Sequence, residues 1–221
     1  MAVAGCAILA VVTVLGWPRE KEPVYQGKKL SEWAEPYNDA GDDDARVDAI
    51  RHIGTNALPY LLSWMQFERP TWRTKIHGSL HRLPRILRRD IVYRVLLGRG
   101  ELRLRAVRSA FEALGPEAAP AVPALARILS LTKSPVIGYR AAETLAGIGG
   151  DGLSALTNAL ADQRCPYRYY AAEAIGSMGD KAVAAVPTLL SVLNDPDPVV
   201  KDAATLALRW VAPELPPEEP E

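Results

Sequence analysis

Ala171-Ala172-Glu173-Ala174-Ile175-Gly176 decides the fold, because the same six-residue theme returns along the chain. It stands as Ala110-Phe111-Glu112-Ala113-Leu114-Gly115, then as Ala141-Ala142-Glu143-Thr144-Leu145-Ala146, and in degraded form as Ala203-Ala204-Thr205-Leu206-Ala207-Leu208. The copies start at 110, 141, 171 and 203, so they lie 31, 30 and 32 residues apart. An earlier copy, Ala49-Ile50-Arg51-His52-Ile53-Gly54, precedes the one at 110 by 61 residues, two periods with one copy wanting. Ser79-Leu80-His81-Arg82-Leu83-Pro84 fills that gap in weakened form, so six units are expected. A fixed period of this length marks a stacked array in which each repeat is one supersecondary unit.

Each unit reads as helix, tight turn, helix. The small residues of the block let neighbouring helices approach closely, and the aliphatic positions recur at helical spacing. Prolines fall near the start of each second helix, at Pro59, Pro84, Pro120 and Pro187, with Pro123 one turn further on. There a missing amide costs least, which is how a chain with 18 prolines can still be helical. Second helices are legible in Ala57 to Leu62, Val122 to Leu129 and Val186 to Leu193, and Asn194-Asp195-Pro196-Asp197-Pro198 breaks the chain before the last unit.

These blocks resemble the HEAT-repeat family, in the short bacterial form also found in phycobilin lyases. Leu114-Gly115-Pro116-Glu117-Ala118-Ala119-Pro120 is the closest local match, and the resemblance runs from about 45 to 212. It implies an all-α fold, a right-handed α-solenoid (armadillo-like superhelix) of about six helix pairs with second helices on the concave side. Such folds imply a habit of binding proteins or peptides in that groove, and no reaction. The expected organisation is a hydrophobic signal anchor at 1–18, a linker with a capping helix at 19–40, repeats at 41–212 and an acidic, Pro-rich tail at 213–221. Within the linker, Ser31 is expected to cap a short helix whose Trp33 and Tyr37 cover the first repeat.

Ala2 to Trp17 carries no charge, and Arg19, Glu20, Lys21 and Glu22 follow at once. As a helix it would rise about 24 Å, against a hydrocarbon core of about 30 Å. Three readings compete: a signal anchor, a cleaved signal peptide, and a buried helix or misassigned start. The absence of a basic n-region and a merely passable cleavage site after Gly16 favour the anchor. Val3-Ala4-Gly5-Cys6 has the residue types of a lipoprotein box, but its apolar run follows the cysteine instead of preceding it. The expectation is therefore a membrane-associated protein held through residues 2–17, its repeats on the extracytoplasmic side, with the cytoplasmic side as the alternative.

No catalytic or cofactor-binding constellation is legible, so no enzyme and no cofactor are expected. His77 and His81 sit at i, i+4, but Gly78 replaces the glutamate of a zinc-protease helix and no third ligand is near, so no metal is expected. Cys165 is followed by Pro166-Tyr167-Arg168-Tyr169-Tyr170 and has no histidine close in sequence; it reads as a packed thiol. Glu112, Glu143 and Glu173 share one repeat position and should form a row along the stack, paired with neighbouring basic groups.

Net charge is zero, with 26 basic and 26 acidic residues, so no global field points to nucleic acid. The balance is uneven along the chain. Between Thr71 and Ala110 eleven bases face only Asp90 and Glu101. Arg82, Arg85, Arg88, Arg89, Arg99, Arg103 and Arg105 form the candidate patch for an anionic partner, with Arg85, Arg88 and Arg89 on one helical face. Two functions are thus expected in order: a non-catalytic scaffold docking a protein or peptide, or a binder of an anionic polymer such as nucleic acid, lipid head groups or envelope polymer. Nucleic acid is the less favoured of these ligands.

Overall fold

The computed structural model describes residues 22–34, 43–68 and 99–214. A two-stranded hairpin comes first, β1 (Val24–Tyr25) and β2 (Lys28–Lys29), with Val24 opposite Lys29 and Tyr25 opposite Lys28. Gln26 and Gly27 turn it, both at positive φ, as a two-residue hairpin requires. A four-residue helix, α1 (Leu30–Trp33), follows directly. Its N-cap position is Lys29, so Ser31 lies inside the helix and is not the cap expected. The first-turn amides have no helical partners, and carboxylates take them: Lys29 N–H donates to Glu32 at 2.9 Å and Ser31 N–H to Glu22 at 3.0 Å. Trp33 donates its indole N–H to the Tyr25 carbonyl at 3.0 Å, and the Tyr25 ring lies 4.4 Å from that of His52. With Leu30 and Ala34 fully buried, the hairpin and α1 cap the first repeat. Tyr37 lies outside the described residues.

The repeats follow as helix pairs. The first is α2 (Asp43–Ile53) and α3 (Leu58–Met65), the next α4 (Arg99–Leu114) and α5 (Val122–Leu131). Then come α6 (Pro135–Ile148) with α7 (Gly150–Ala161), α8 (Arg168–Ser177) with α9 (Val186–Ser191), and α10 (Pro198–Val211). In three pairs the connection is a 3₁₀ turn: Gly54–Ala57, Gly115–Ala121 and Gly179–Ala185. Each turn opens with a glycine at positive φ, +60° at Gly54, +50° at Gly115 and +59° at Gly179. The left-handed step ends the first helix. Pro59, Pro123 and Pro187 then occupy the first turn of α3, α5 and α9, while Pro120 lies within its 3₁₀ turn.

The recurring block is the packing face of the first helices. Ala49, Ala110, Ala141 and Ala171 are fully buried and Ala203 nearly so, because α2, α4, α6, α8 and α10 lie in one row, each against the next. Among the second helices α7 packs against both α5 and α9. The all-α HEAT-like solenoid expected from the sequence is the architecture observed.

Described units meet across the gap in the repeat. The copy sought at 79–84 lies outside the described residues, yet the units on either side of it pack directly on one another. α4 contacts both α2 and α3, and the 3₁₀ turns at 54–57 and 115–121 abut. Arg51 Nε donates to the Ala113 carbonyl at 2.9 Å, and the Arg103 guanidinium lies 5.0 Å over the Trp64 ring. These contacts join the described units 43–65 and 99–131 directly.

The expected localisation is also corrected. Among the described residues no helix is long and apolar enough to cross a membrane. The longest, α4, has 16 residues and rises only about 24 Å of the ~30 Å needed. Residues 2–17 lie outside the described residues. Membrane association, and with it a side of the membrane, is withdrawn.

Candidate partner-binding cleft

Amphipathic helix α5 has two apolar stripes where a helix at the rim of a stack needs one. Leu125 and Leu129 are fully buried against the core. Ala124, Ile128 and Leu131 make the second stripe, and Leu131 is 67% exposed. Opposite them the C-terminal end of α3 presents Leu62 and Gln66, and the start of α6 adds Ile137. Together with Thr132 and Arg127 these residues line a cleft of ≈ 460 Å³.

Local chemistry holds the walls in place. Ser134 is the N-cap of α6, accepting the Ile137 N–H at 3.5 Å, and Thr132 Oγ1 accepts the Ser134 N–H at 3.2 Å. The Gln66 amide donates to the Leu62 carbonyl at 3.2 Å, lying back along its own helix. Arg140 donates to the Met65 and Phe67 carbonyls at 3.2 and 2.9 Å, tying the end of α3 to α6. The cleft thus has an apolar floor, exposed Arg127 at its rim and fixed sides, the mixture typical of a recognition groove. The sequence contained the signal, since Ala124, Ile128 and Leu131 follow at i, i+4 and i+7 beside the buried pair, but periodicity alone does not say which stripe is covered.

The residues singled out from sequence fall elsewhere. Arg82, Arg85, Arg88 and Arg89 lie outside the described residues, as do His77 and His81. Arg99, Arg103 and Arg105 lie on α4. Arg103 is committed inside the protein: it pairs with the buried Glu22 carboxylate at 2.7 Å and covers Trp64. The glutamate row is present. Arg108 donates to Glu112 at 2.8 Å and to Glu143 at 3.3 Å, bridging two repeats. The Glu112 hydrogen bond, and then the Glu143 charge, raise its pKa further above the usual guanidinium value. Partial burial, then the neighbouring Glu143 carboxylate, hold Glu173 above the ordinary carboxyl range. Tyr139, Tyr167, Tyr169 and Tyr170 cluster beside it, with Tyr169 and Tyr170 rings 4.0 Å apart. The expected pairing with a basic group is found at Glu112 and Glu143; at Glu173 burial and the Glu143 charge dominate instead.

Cys165 is buried, and burial pushes its thiol pKa up; its sulfur lies 3.9 Å from the Leu129 carbonyl. That is a packed thiol and not an activated one.

The sequence did not reveal the Arg168–Asp195 pair. Arg168 opens α8, is 8% exposed, and donates through Nε to the Leu160 carbonyl at 2.9 Å. Its two terminal nitrogens grip both oxygens of buried Asp195, one of them at 3.0 Å. Asp195 also accepts the Asp197 N–H at 3.0 Å, and the arginine hydrogen bonds hold its carboxyl below the usual range. One side chain thereby joins the end of α7, the start of α8 and the loop before α10.

Residues 153–218, from α7 to beyond α10, match the family model described as HEAT repeats. No curated protein matches the chain.

Proposed function

We propose that this chain, a HEAT-repeat protein, is a non-catalytic scaffold that binds a protein or peptide segment in the cleft between α3 and α5. HEAT repeats generally serve as protein-interaction scaffolds. The observation that carries the reading is the second apolar stripe of α5, exposed at Leu131 and facing Leu62 and Ile137. Exposed apolar surface walled by polar groups is costly in water unless a partner covers it. Arg127 at the rim suits a carboxylate on that partner. The described part of the basic middle favours the cleft over an anionic-polymer site, since Arg103 already has Glu22 and Trp64 as partners.

The test is selection of displayed peptides on the wild-type chain and on Leu131→Asp. A shared motif, apolar with an acidic residue, should emerge on the wild type and bind the variant about tenfold or more weakly, as expected for an anchor pocket. Motifs recovered equally by both proteins would place binding elsewhere.

A further inference from the structure

The last described helix leaves an apolar stripe in the open. α10 buries Val200, Ala203, Ala204, Ala207 and Val211 against α8 and α9. On an adjacent face Val199 is 53% exposed, Leu206 53% and Trp210 72%. These three lie at i, i+7 and i+11, three of the four seam positions of a coiled-coil helix; the fourth, Ala203, is buried against the protein's own core. Beside the seam stand Asp202 and Arg209, both exposed and seven residues apart. They occupy the same heptad position with opposite charge.

That arrangement is self-complementary in one direction only. When two identical helices pair antiparallel about a two-fold axis, each flank position meets the same flank of the other copy. With the axis between Thr205 and Leu206, Asp202 faces Arg209 of the second copy, and Arg209 faces its Asp202. The Trp210 indole of each copy then lies against exposed Val199 of the other. Parallel pairing would set this flank against the opposite flank of the other copy, where Val200 and Ala207 offer no charge.

We infer that α10 is a homodimerisation surface, pairing antiparallel with α10 of a second copy through Val199, Leu206 and Trp210. This surface is separate from the cleft at α5, so either proposal can fail without the other. A single helix pair buries on the order of 1,000 Å², at the low end for specific interfaces, where weak and transient association is the rule. The two Asp–Arg pairs at the rim set direction more than affinity.

The test is sedimentation equilibrium of the full chain from about 1 to 200 μM, with variants chosen to read direction. The wild type should dimerise and Trp210→Glu should stay monomeric. Arg209→Asp should weaken association at least tenfold, by setting Asp against Asp, and the swap Asp202→Arg with Arg209→Asp should restore it. Circular dichroism checks that each variant keeps its helix content. Leu206→Cys, with Cys6 and Cys165 changed to Ser, should form a disulfide-linked dimer on mild oxidation, because Leu206 lies beside the axis. A wild type monomeric throughout overturns the proposal, as does a dimer indifferent to Trp210→Glu. So does a swap that fails to rescue, or a chain ending at residue 214 that dimerises where the full chain does not, which would give the stripe to residues 215–221.

Discussion

Single residues set how closely the helices of this stack approach. Gly152, near the start of α7, is the sharpest instance: a Cβ there would lie 1.8 Å from the Leu145 carbonyl oxygen of α6. That oxygen is backbone and cannot rotate aside, so the helices would have to part. Gly152→Ala should therefore destabilise the fold by about 3 kcal/mol, the upper range for overpacking, despite alanine's better helix propensity. Urea unfolding of the purified variant measures it, and an unchanged midpoint would mean that α6 and α7 have slack. The substitution is diagnostic because a propensity argument alone predicts the opposite sign.

At the scale of elements, joints between helices are held by side chains reaching for backbone carbonyls. Arg51 reaches the end of α4, Arg140 the end of α3 and Arg168 the end of α7. Helix C-termini leave carbonyls without partners and carry partial negative charge, so a guanidinium is well matched to them. Arg168 does most, since it also neutralises buried Asp195. Removing one member of a buried pair strands the other, at about 3–5 kcal/mol. Arg168→Ala should cost that much at pH 7, read by chemical denaturation. Asp195 is held below the usual carboxyl range, so the pair's contribution is complete above the unfolded value of about 4 and is lost as pH falls through the depressed folded value. The gap between wild type and variant should accordingly be widest near neutrality and narrow in strong acid. A gap constant from pH 7 to pH 2 would show that Arg168 acts only through Leu160.

For the whole molecule, the informative contact is that of the first repeat with α4. α2 and α3 meet α4 directly, which gives the first repeat an interface with the stack on the far side of residues 69–98. Replacing those thirty residues by a flexible ten-residue Gly/Ser linker, with a reach of roughly 17 Å, should leave the cap and repeats folded and unfolding as one unit. Hydrogen exchange would check this through protection of Ile50 and Leu61, both buried against neighbours. If protection in α2 and α3 collapses while α6 to α10 keep theirs, the first repeat depends on the replaced segment. Repeat arrays take their stability from nearest-neighbour interfaces, so the experiment asks which interface the first repeat uses.

The sequence by itself determined the repeat: alanine blocks at a period near 30 can bury their small faces only against one another, and that dictated the first-helix row. It also determined where second helices start, since proline is tolerated in a first turn, and the breaks at Gly54, Gly115 and Asn194–Pro198. Only the tertiary structure decided which units are neighbours, because adjacency depends on interfaces between segments far apart in the chain and the period counts residues, not contacts. It likewise decided which of two apolar stripes on α5 and α10 is covered, since a helix's periodicity shows that faces exist and not what lies against them. The same holds for Arg103, which reads as part of a basic stretch until Glu22 is brought to it from 81 residues away, and for Arg168, whose partner Asp195 comes from 27 residues away.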